Sequence, residues 1–364
     1  MNYRLQNYYY VPRSVIGCDY MDKLIYLIGT LFEHNGSGVP DTNITFYNYI
    51  KRALNVEKID ILETAKKTYN LNNETLLRNL ALLKIRKQLK GKNIHVLHTS
   101  DLCLTFPVID ISKNANKKII TVHDLYPFIK RPDFRPTQKI EFKLKQKDFK
   151  FIKNYDHVFV RSNELATKLE NSFEVDPKKM TVQGPIIDYK FKPLNDAKNY
   201  SKKIIGYIND FGWGRAPMFK YFLETFKKLQ DDQLEFHIYG KNFPFAEMIK
   251  SDSRIKYFGF LDENEMVPTL GTFSAYLSTS LLEGFGIPIA KAKAMKIPVL
   301  CYDGELPAVV KRNTNIWNQE NLEQILRDRT WEKVNIEKAY NDIEDLRPDK
   351  IINSTLKVYE KIFI

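Results

Sequence analysis

The sequence predicts an α/β protein with two doubly wound domains, and three observations support this fold class. Short β-branched or aromatic runs alternate with helical stretches along most of the chain, a pattern typical of largely parallel sheets. The chain has 364 residues, more than one hydrophobic core usually holds. A polar segment, 192–201, separates two series of strands and helices.

The alternation places the elements along the chain in order. Strands are predicted at 94–98, 118–123, 157–161, 203–209, 234–239, 255–260, 273–279 and 297–302. The first hundred residues are less regular, with a strand end at 14–19 and helices over 20–32, 58–69 and 73–90. A last helix is predicted over 348–364, because four apolar residues share one side: Ile351, Ile352, Leu356 and Tyr359.

These elements divide into domains 1–195 and 196–345, followed by a terminal segment, 346–364, that we expect to pack back on the first domain. In an open parallel sheet the ligand binds at the carboxyl ends of the strands. Two such sheets facing each other would place a substrate cleft between them, so we look for polar motifs that follow strands in both halves.

Amino-acid composition limits the cellular compartment and the classes of binding partner that we expect. The three cysteines, Cys18, Cys103 and Cys301, match no metal or disulfide spacing, which favours a reduced, cytoplasmic protein. No signal peptide is evident, and the longest apolar stretch, 24–32, is too short to cross a bilayer. The formal net charge of +12 is compatible with nucleic acid, an anionic membrane surface or phosphorylated small molecules.

The most informative motif runs from Glu283 through Gly284, Phe285 and Gly286 to Ile287. It joins a predicted strand to a helix that starts near a proline, as helices often do. A strand, a glycine loop and a helix N-terminus together form a site for an anion or a nucleotide. The alternative is simple helix capping. Two glycines around an aromatic, which we expect to be exposed, favour the ligand site.

A second motif places Arg215 and Lys220 at the start of a helix that follows the strand 203–209. Cations are unfavourable there because the N-terminal end of the helix dipole is positive. A bound diphosphate would remove the conflict, since amides, dipole and both cations would point at it. The alternative is a pair of solvated surface charges.

Two weaker motifs lie in the first half. His123 and Asp124 end a buried strand, where His123 would contact a sugar, although a single histidine is more often satisfied by a neighbour. Gly17 precedes the predicted helix 20–32. No group of histidines, cysteines and acids has metal-ligand spacing, so we expect no metal and no cofactor beyond a co-substrate.

A lysine-rich segment, 139–153, interleaves basic and apolar residues. One interpretation is an interfacial helix that makes peripheral contact with an anionic membrane. The other is an ordinary domain helix with an apolar inner face and a basic outer face, which the pattern favours.

In this order and spacing, the motifs resemble those of family 4 glycosyltransferases, which have the GT-B fold: two Rossmann-like domains facing a central cleft. The similar segments are 122–127, 184–193, Arg215 with Lys220, and 283–288; Gly17 corresponds to an N-terminal glycine loop, with one glycine of the usual pair. Family members usually have a second glutamate eight positions after the first. Here that position is Lys291, whose ammonium can only donate hydrogen bonds.

The resemblance implies retaining, metal-independent transfer of a sugar from a nucleoside diphosphate to a hydroxyl acceptor: a glycan, a lipid-linked group or a protein. The first domain would bind the acceptor and the second the donor. His123, Asp124 and Glu283 would act at the reacting centre. Donor-binding positions would be Gly17, Arg215, Lys220, Gly284, Phe285, Gly286, Ile287 and Lys291. Two alternatives are a nucleic-acid-binding or DNA-glycosylating protein, which the charge suggests but the Glu283 motif does not explain, and an inactive sugar-nucleotide-binding module, suggested by Lys291.

Overall fold

The computed structural model describes residues 24–28, 38–66, 74–100, 115–124, 150–194, 202–209, 211 and 215–363. The chain forms two compact units. The first comprises residues 1–186 and 348–364, and the second comprises residues 187–347. Residues 187–194, which the sequence placed in the first domain, therefore cluster with the second unit.

The first unit contains a parallel sheet with the strand order β2-β1-β3-β4-β5-β6. Its strands are β1 (Leu24–Ile28), β2 (Val56–Asp60), β3 (Ile94–Thr99), β4 (Ala115–Val122), β5 (His157–Val160) and β6 (Met180–Val182). The central strands are buried on both faces, as expected of a sheet covered by helices. Its described helices are α1 (Gly38–Ala53), α2 (Ile61–Lys66), α3 (Glu74–Leu89), α4 (Asn163–Phe173) and, at the chain end, α12 (Pro348–Phe363).

The second unit has its own parallel sheet, ordered β12-β11-β10-β7-β8-β9. The strands are β7 (Lys203–Ile208), β8 (Leu234–Tyr239), β9 (Ile255–Tyr257), β10 (Ala275–Ser278), β11 (Val299–Tyr302) and β12 (Asn315–Trp317). The helices are α5 (Ala216–Lys228), α6 (Ala246–Ile249), α7 (Glu263–Leu270), α8 (Ile287–Ala294), α9 (Ala308–Lys311), α10 (Leu322–Asp328) and α11 (Ile336–Asn341). This pair of Rossmann-like α/β units agrees with the predicted fold class.

An aromatic face attaches α5 to the second sheet. Phe219, Phe222 and Phe226 are spaced three and four residues apart, so they lie on one side of the helix. All three are fully buried, and each lies 5.0–5.6 Å, between ring centroids, from Phe236 of β8. This packing fixes the helix axis, and with it the start of α5, which follows β7.

In the first hundred residues one predicted helix was wrong, and a second, 58–69, was right only over α2 (Ile61–Lys66). The interval 20–32 contains strand β1, which pairs with both β2 and β3. The interval 58–69 begins inside β2, an edge strand whose Glu57 and Lys58 are exposed. A short apolar run does not distinguish a buried strand from a helix, and charges on an edge strand break the expected alternation. The tertiary pairing decides both cases.

The terminal helix α12 belongs to the first unit, and its residues Ile351, Ile352, Leu356 and Tyr359 are buried there. A histidine connects this helix to the sheet. His98 Nδ1 lies 2.6 Å from the Tyr359 hydroxyl, and His98 Nε2 lies 2.8 Å from Thr121 Oγ1. Both ring nitrogens of a neutral imidazole are thus satisfied in the core. Within the described residues, no helix is long and apolar enough to cross a membrane.

We predict that the first unit loses stability in mild acid because of His98. Burial lowers the pKa of His98 from 6.5 to about 3. In acid the unfolded chain therefore binds a proton at this histidine that the folded chain does not bind. The stability of the fold is unaffected by this group above about pH 6.5 and decreases as the pH falls toward 3. One such histidine changes the free energy of unfolding by about 1.4 kcal/mol per pH unit.

Urea unfolding at about pH 7 and about pH 5 measures this dependence. His98→Gln should lower stability at neutral pH but flatten the loss in acid, because the titrating group is gone. Equal acid sensitivity of the variant and the wild type would contradict the assignment.

Candidate functional site

The backbone after β10 is shaped by a close contact with the segment after β11. A β-carbon at Gly304 would lie 2.5 Å from the carbonyl oxygen of Ser280 and 2.6 Å from that of Leu281, so glycine permits this approach. The Glu305 amide donates to Leu281 O at 2.8 Å, and the Glu283 amide donates to Glu305 O at 3.1 Å. These contacts fix Glu283 at the carboxyl edge of the second sheet.

The glycine loop leads directly into α8. Gly286 precedes the helix with φ of 94°, a conformation that L side chains rarely adopt, and Ile287 begins it. Phe285 is buried, with 6% exposure, so the expectation of an exposed aromatic was wrong. The ring anchors the loop in the core. The half-buried Gly284 and Ile287 are therefore the parts of this segment that a ligand can reach.

Arg215 and Glu283 are joined by a short ion pair. Arg215 Nη2 lies 2.8 Å from Glu283 Oε1, and each side chain is 18% exposed. Ser280 Oγ completes the cluster: it donates to Glu283 Oε1 at 2.7 Å and accepts from Arg215 Nε at 3.3 Å. Arg215 occupies the N-cap position of α5 without a side-chain capping bond. The guanidinium is thus held at the start of one helix by a carboxylate just before another.

Lys220 lies further along α5 and is exposed. Its ammonium lies 3.7 Å from Glu224 Oε1, one turn later, and the lysine side chain is 54% exposed. A surface pair of this kind is weak, so it leaves the lysine mobile enough to reach another anion.

Lys291 of α8 contacts α7 and residues 190–191. Its Nζ lies 3.3 Å from Glu263 Oε1 and 4.7 Å from the centre of the Phe191 ring. Lys190 Nζ approaches the same carboxylate at 2.8 Å. Burial alone would raise the pKa of Glu263, but Lys291 and Lys190 lower it below its ordinary value. The Lys291 side chain is only 13% exposed, so its charge lies largely inside the second unit.

His123 follows β4 in the first unit, next to Arg161, which follows β5. Arg161 Nε donates to His123 Nδ1 at 3.2 Å. His123 Nε2 is buried and has no hydrogen-bond partner in the described part of the chain. Burial lowers the pKa of His123 well below its ordinary value, and the charge of Arg161 lowers it further. An interaction with the Ser100 backbone raises this pKa, but by less. The ring is therefore neutral, with its proton on Nε2. Asp124 comes next and is half-buried.

Several predicted features lie outside the described residues. They are Gly17, the glycines at 212 and 214, and most of the basic segment 139–153. Because β1 begins at Leu24, Gly17 precedes that strand instead of following it. The connection from β1 to α1 carries Gly29 and Gly36, which sequence reasoning missed and which also lie outside the described residues.

Among residues with described positions, no three His, Cys, Asp or Glu side chains are grouped to hold a metal.

Arg161 and Glu263 were also missed. Arg161 carried a usable signal, since it is a charge at the carboxyl end of a predicted core strand. Glu263 carried no such sequence signal, because only the tertiary structure brings its carboxylate close to Lys291.

Comparison with known proteins identifies related families. A family described as "Glycosyltransferase Family 4" matches residues 45–191, and one described as "Glycosyl transferases group 1" matches residues 202–328. Together they cover most of the chain. A comparison with curated proteins found no match to the chain.

Solved structures agree in fold. Sucrose-phosphate synthase from Thermosynechococcus elongatus has a TM-score of 0.75 and 15% identity over 94% of this chain and 99% of that one. A glycosyltransferase from Rickettsia africae has a TM-score of 0.65 and 17% identity, over 94% and 99%. Anabaena HepE, solved with UDP and glucose, has a TM-score of 0.67 and 11% identity, over 93% and 100%. Because both halves match glycosyltransferase families and each unit has the Rossmann-like fold of these structures, the chain is a glycosyltransferase with the GT-B fold.

Proposed function

We propose that the protein transfers a sugar from a nucleoside-diphosphate sugar to a hydroxyl acceptor, with retention at the sugar carbon and without a metal ion. The observation that carries the proposal is the Arg215–Glu283 pair, which joins the starts of α5 and α8 in the second unit. Helix N-termini and a guanidinium together bind a diphosphate. A carboxylate beside them accepts hydrogen bonds from sugar hydroxyls.

Each group then has a distinct task. Arg215 and Lys220 neutralise the charge that develops on the leaving diphosphate, which is the main electrostatic need of this reaction. Amides between Gly284 and Ile287 hold phosphate or sugar oxygens. Glu283 Oε1 already accepts two hydrogen bonds, while no described residue donates to Oε2, which is left for the sugar. His123 donates through Nε2.

The donor class is supported by solved relatives of the fold. Anabaena HepE is described in complexes with UDP and with UDP-glucose. A uridine nucleotide is therefore the first donor to test here. Retention and the acceptor class rest on the resemblance to family 4.

An inactive nucleotide-binding module would bind the donor without hydrolysing or transferring it, so product analysis separates this alternative from an active transferase. We expect the protein to act in the cytoplasm, with contact to an anionic membrane through 139–153 as a further proposal.

We predict that Arg215→Ala weakens binding of UDP by about tenfold or more, because a charge-assisted, forked contact to phosphate is lost. Lys220→Ala should weaken binding less, since its single ammonium is exposed. Calorimetric titration with UDP measures both. Lys228→Ala, an exposed lysine at the opposite end of α5, is the matched control and should bind like wild type. Unchanged UDP affinity in both site variants would refute the diphosphate assignment.

We also predict that transfer persists in EDTA, because two cations in α5 can supply the charge neutralisation that a divalent metal supplies elsewhere. The measurement is sugar transfer before and after chelation, with magnesium and manganese added back. Activity that disappears with the chelator and returns with either ion would overturn metal independence.

We infer that Lys291 positions α7 against α8. Lys291→Glu would put a second carboxylate beside Glu263 in a partly buried place, which should destabilise the second unit by about 1–2 kcal/mol. Lys291→Met keeps the apolar stem over Phe191 and should cost less. Adding Glu263→Gln to Lys291→Glu should recover part of the loss.

Urea unfolding and UDP titration of these variants separate two roles. A positioning role changes stability with nearly constant UDP affinity among the folded variants. A donor-binding role changes UDP affinity in Lys291→Glu even where stability is recovered by Glu263→Gln.

A further inference from the structure

Arg161 is a buried cation to which the described residues offer no acid. The residue is 4% exposed and directly follows β5. Its Nη1 donates to the main-chain carbonyls of Gln183 and Gly184 at 3.4 and 3.1 Å, and its Nε donates to His123. All these acceptors are neutral. The two protons on Nη2 have no acceptor within the described part of the chain.

The other buried cations in the described part of the chain are paired with acids. Arg347 is also 4% exposed and also donates to a carbonyl, that of Phe191, yet it contacts Glu344 at 3.2 Å. Lys293 is fully buried and lies 3.1 Å from Asp342. Burying a charge without a counterion is costly, so a buried cation with no acid among the described residues is a candidate site for a bound anion.

His123 lies beside Arg161, so its imidazole can report on an anion that binds there. Strands β4 and β5 run parallel with Val122 opposite Val160, so His123 and Arg161 leave the sheet together at its carboxyl edge. The bond from Arg161 to His123 Nδ1 keeps the ring proton on Nε2, which is buried and has no hydrogen-bond partner among the described residues. Helix α4 begins just after Arg161, with Ser162 as its N-cap, but Glu164 in its first turn offsets the positive end of the helix dipole, so the dipole does not support an anion site there.

We propose that Arg161 binds a phosphate group carried by the acceptor. The proposal rests on the proposed function for the word acceptor: Arg215 and Lys220 in the second unit account for the donor diphosphate, so the charge of Arg161 is left for the other substrate. The edge of a guanidinium matches phosphate oxygens, and its forked donors fix their orientation. The acceptor class is thus a phosphorylated compound with a free hydroxyl.

A purely structural role makes a different prediction. If Arg161 only ties Gln183 and Gly184 to the sheet, its charge is dispensable, and phosphate would not respond to its replacement. Phosphate binding therefore distinguishes the roles better than stability does.

The test is a titration of full-length protein with inorganic phosphate, followed by the imidazole NMR signal of His123. The protein has six histidines, so His123→Gln assigns the signal. Wild type should show a saturable shift. Arg161→Gln should weaken phosphate binding by about tenfold or more. Arg161→Lys keeps the charge without the fork, guards against misfolding of the first variant, and should bind phosphate at an intermediate strength. Arg347→Gln is the matched control and should bind like wild type.

The outcomes are separable. A saturable shift that depends on Arg161, with UDP affinity unchanged in Arg161→Gln, supports the proposal. A shift that never saturates, or is the same in Arg161→Gln and Arg161→Lys as in wild type, overturns it. Loss of UDP affinity together with phosphate affinity in Arg161→Gln assigns the group to the donor and overturns the acceptor. If wild type binds phosphate through Arg161 but no nucleotide, the anion site stands and the proposed function fails.

Discussion

Parallel pairing of the strands is the constraint on which both candidate sites depend. Every named pair of neighbouring strands in the two sheets is parallel. The carboxyl ends of one sheet therefore share an edge, and the chain returns through helices whose N-termini lie at that edge. Arg215 and Glu283 are 68 positions apart in sequence yet form an ion pair, because β7 and β10 are neighbours. His123 and Arg161 meet for the same reason in the first unit.

Interior counterions explain how a chain with a net charge of +12 keeps cations near its sites. Glu283 holds Arg215, Glu263 holds Lys291, and Asp342 holds Lys293. Each acid lowers the cost of bringing a lysine or arginine out of water. An arriving phosphate would not have to replace Glu283, since a guanidinium has five donors in a fixed fork. The pair can thus orient Arg215 before the ligand arrives and keep it oriented afterwards.

Patterns of neighbouring residues predicted the limits of strands that such patterns determine. Strand β8 was predicted at its observed limits, and β7 ended one residue earlier than expected, because alternating or continuous apolar runs report burial directly. Strand β1 was missed because its apolar run suits either a helix or a central strand. The burial of Phe285 and the pairing of Lys291 with Glu263 depend on contacts between distant segments, which no spacing along the sequence reveals. Arg161 could be located at a strand end, but only the structure shows that its described partners are all neutral.

The helix starts add one further argument for the donor site. Helices α4 and α7 carry acids in their first turns, Glu164 in the former and Glu263 with Glu265 in the latter, which offset the positive end of the helix dipole. Helices α5 and α8 have none there, although acids are common elsewhere in the chain. Lysines in the last turns of both helices add a favourable charge at the other end. The two helix starts joined by the Arg215–Glu283 pair thus keep an unbalanced positive potential, which suits a bound anion.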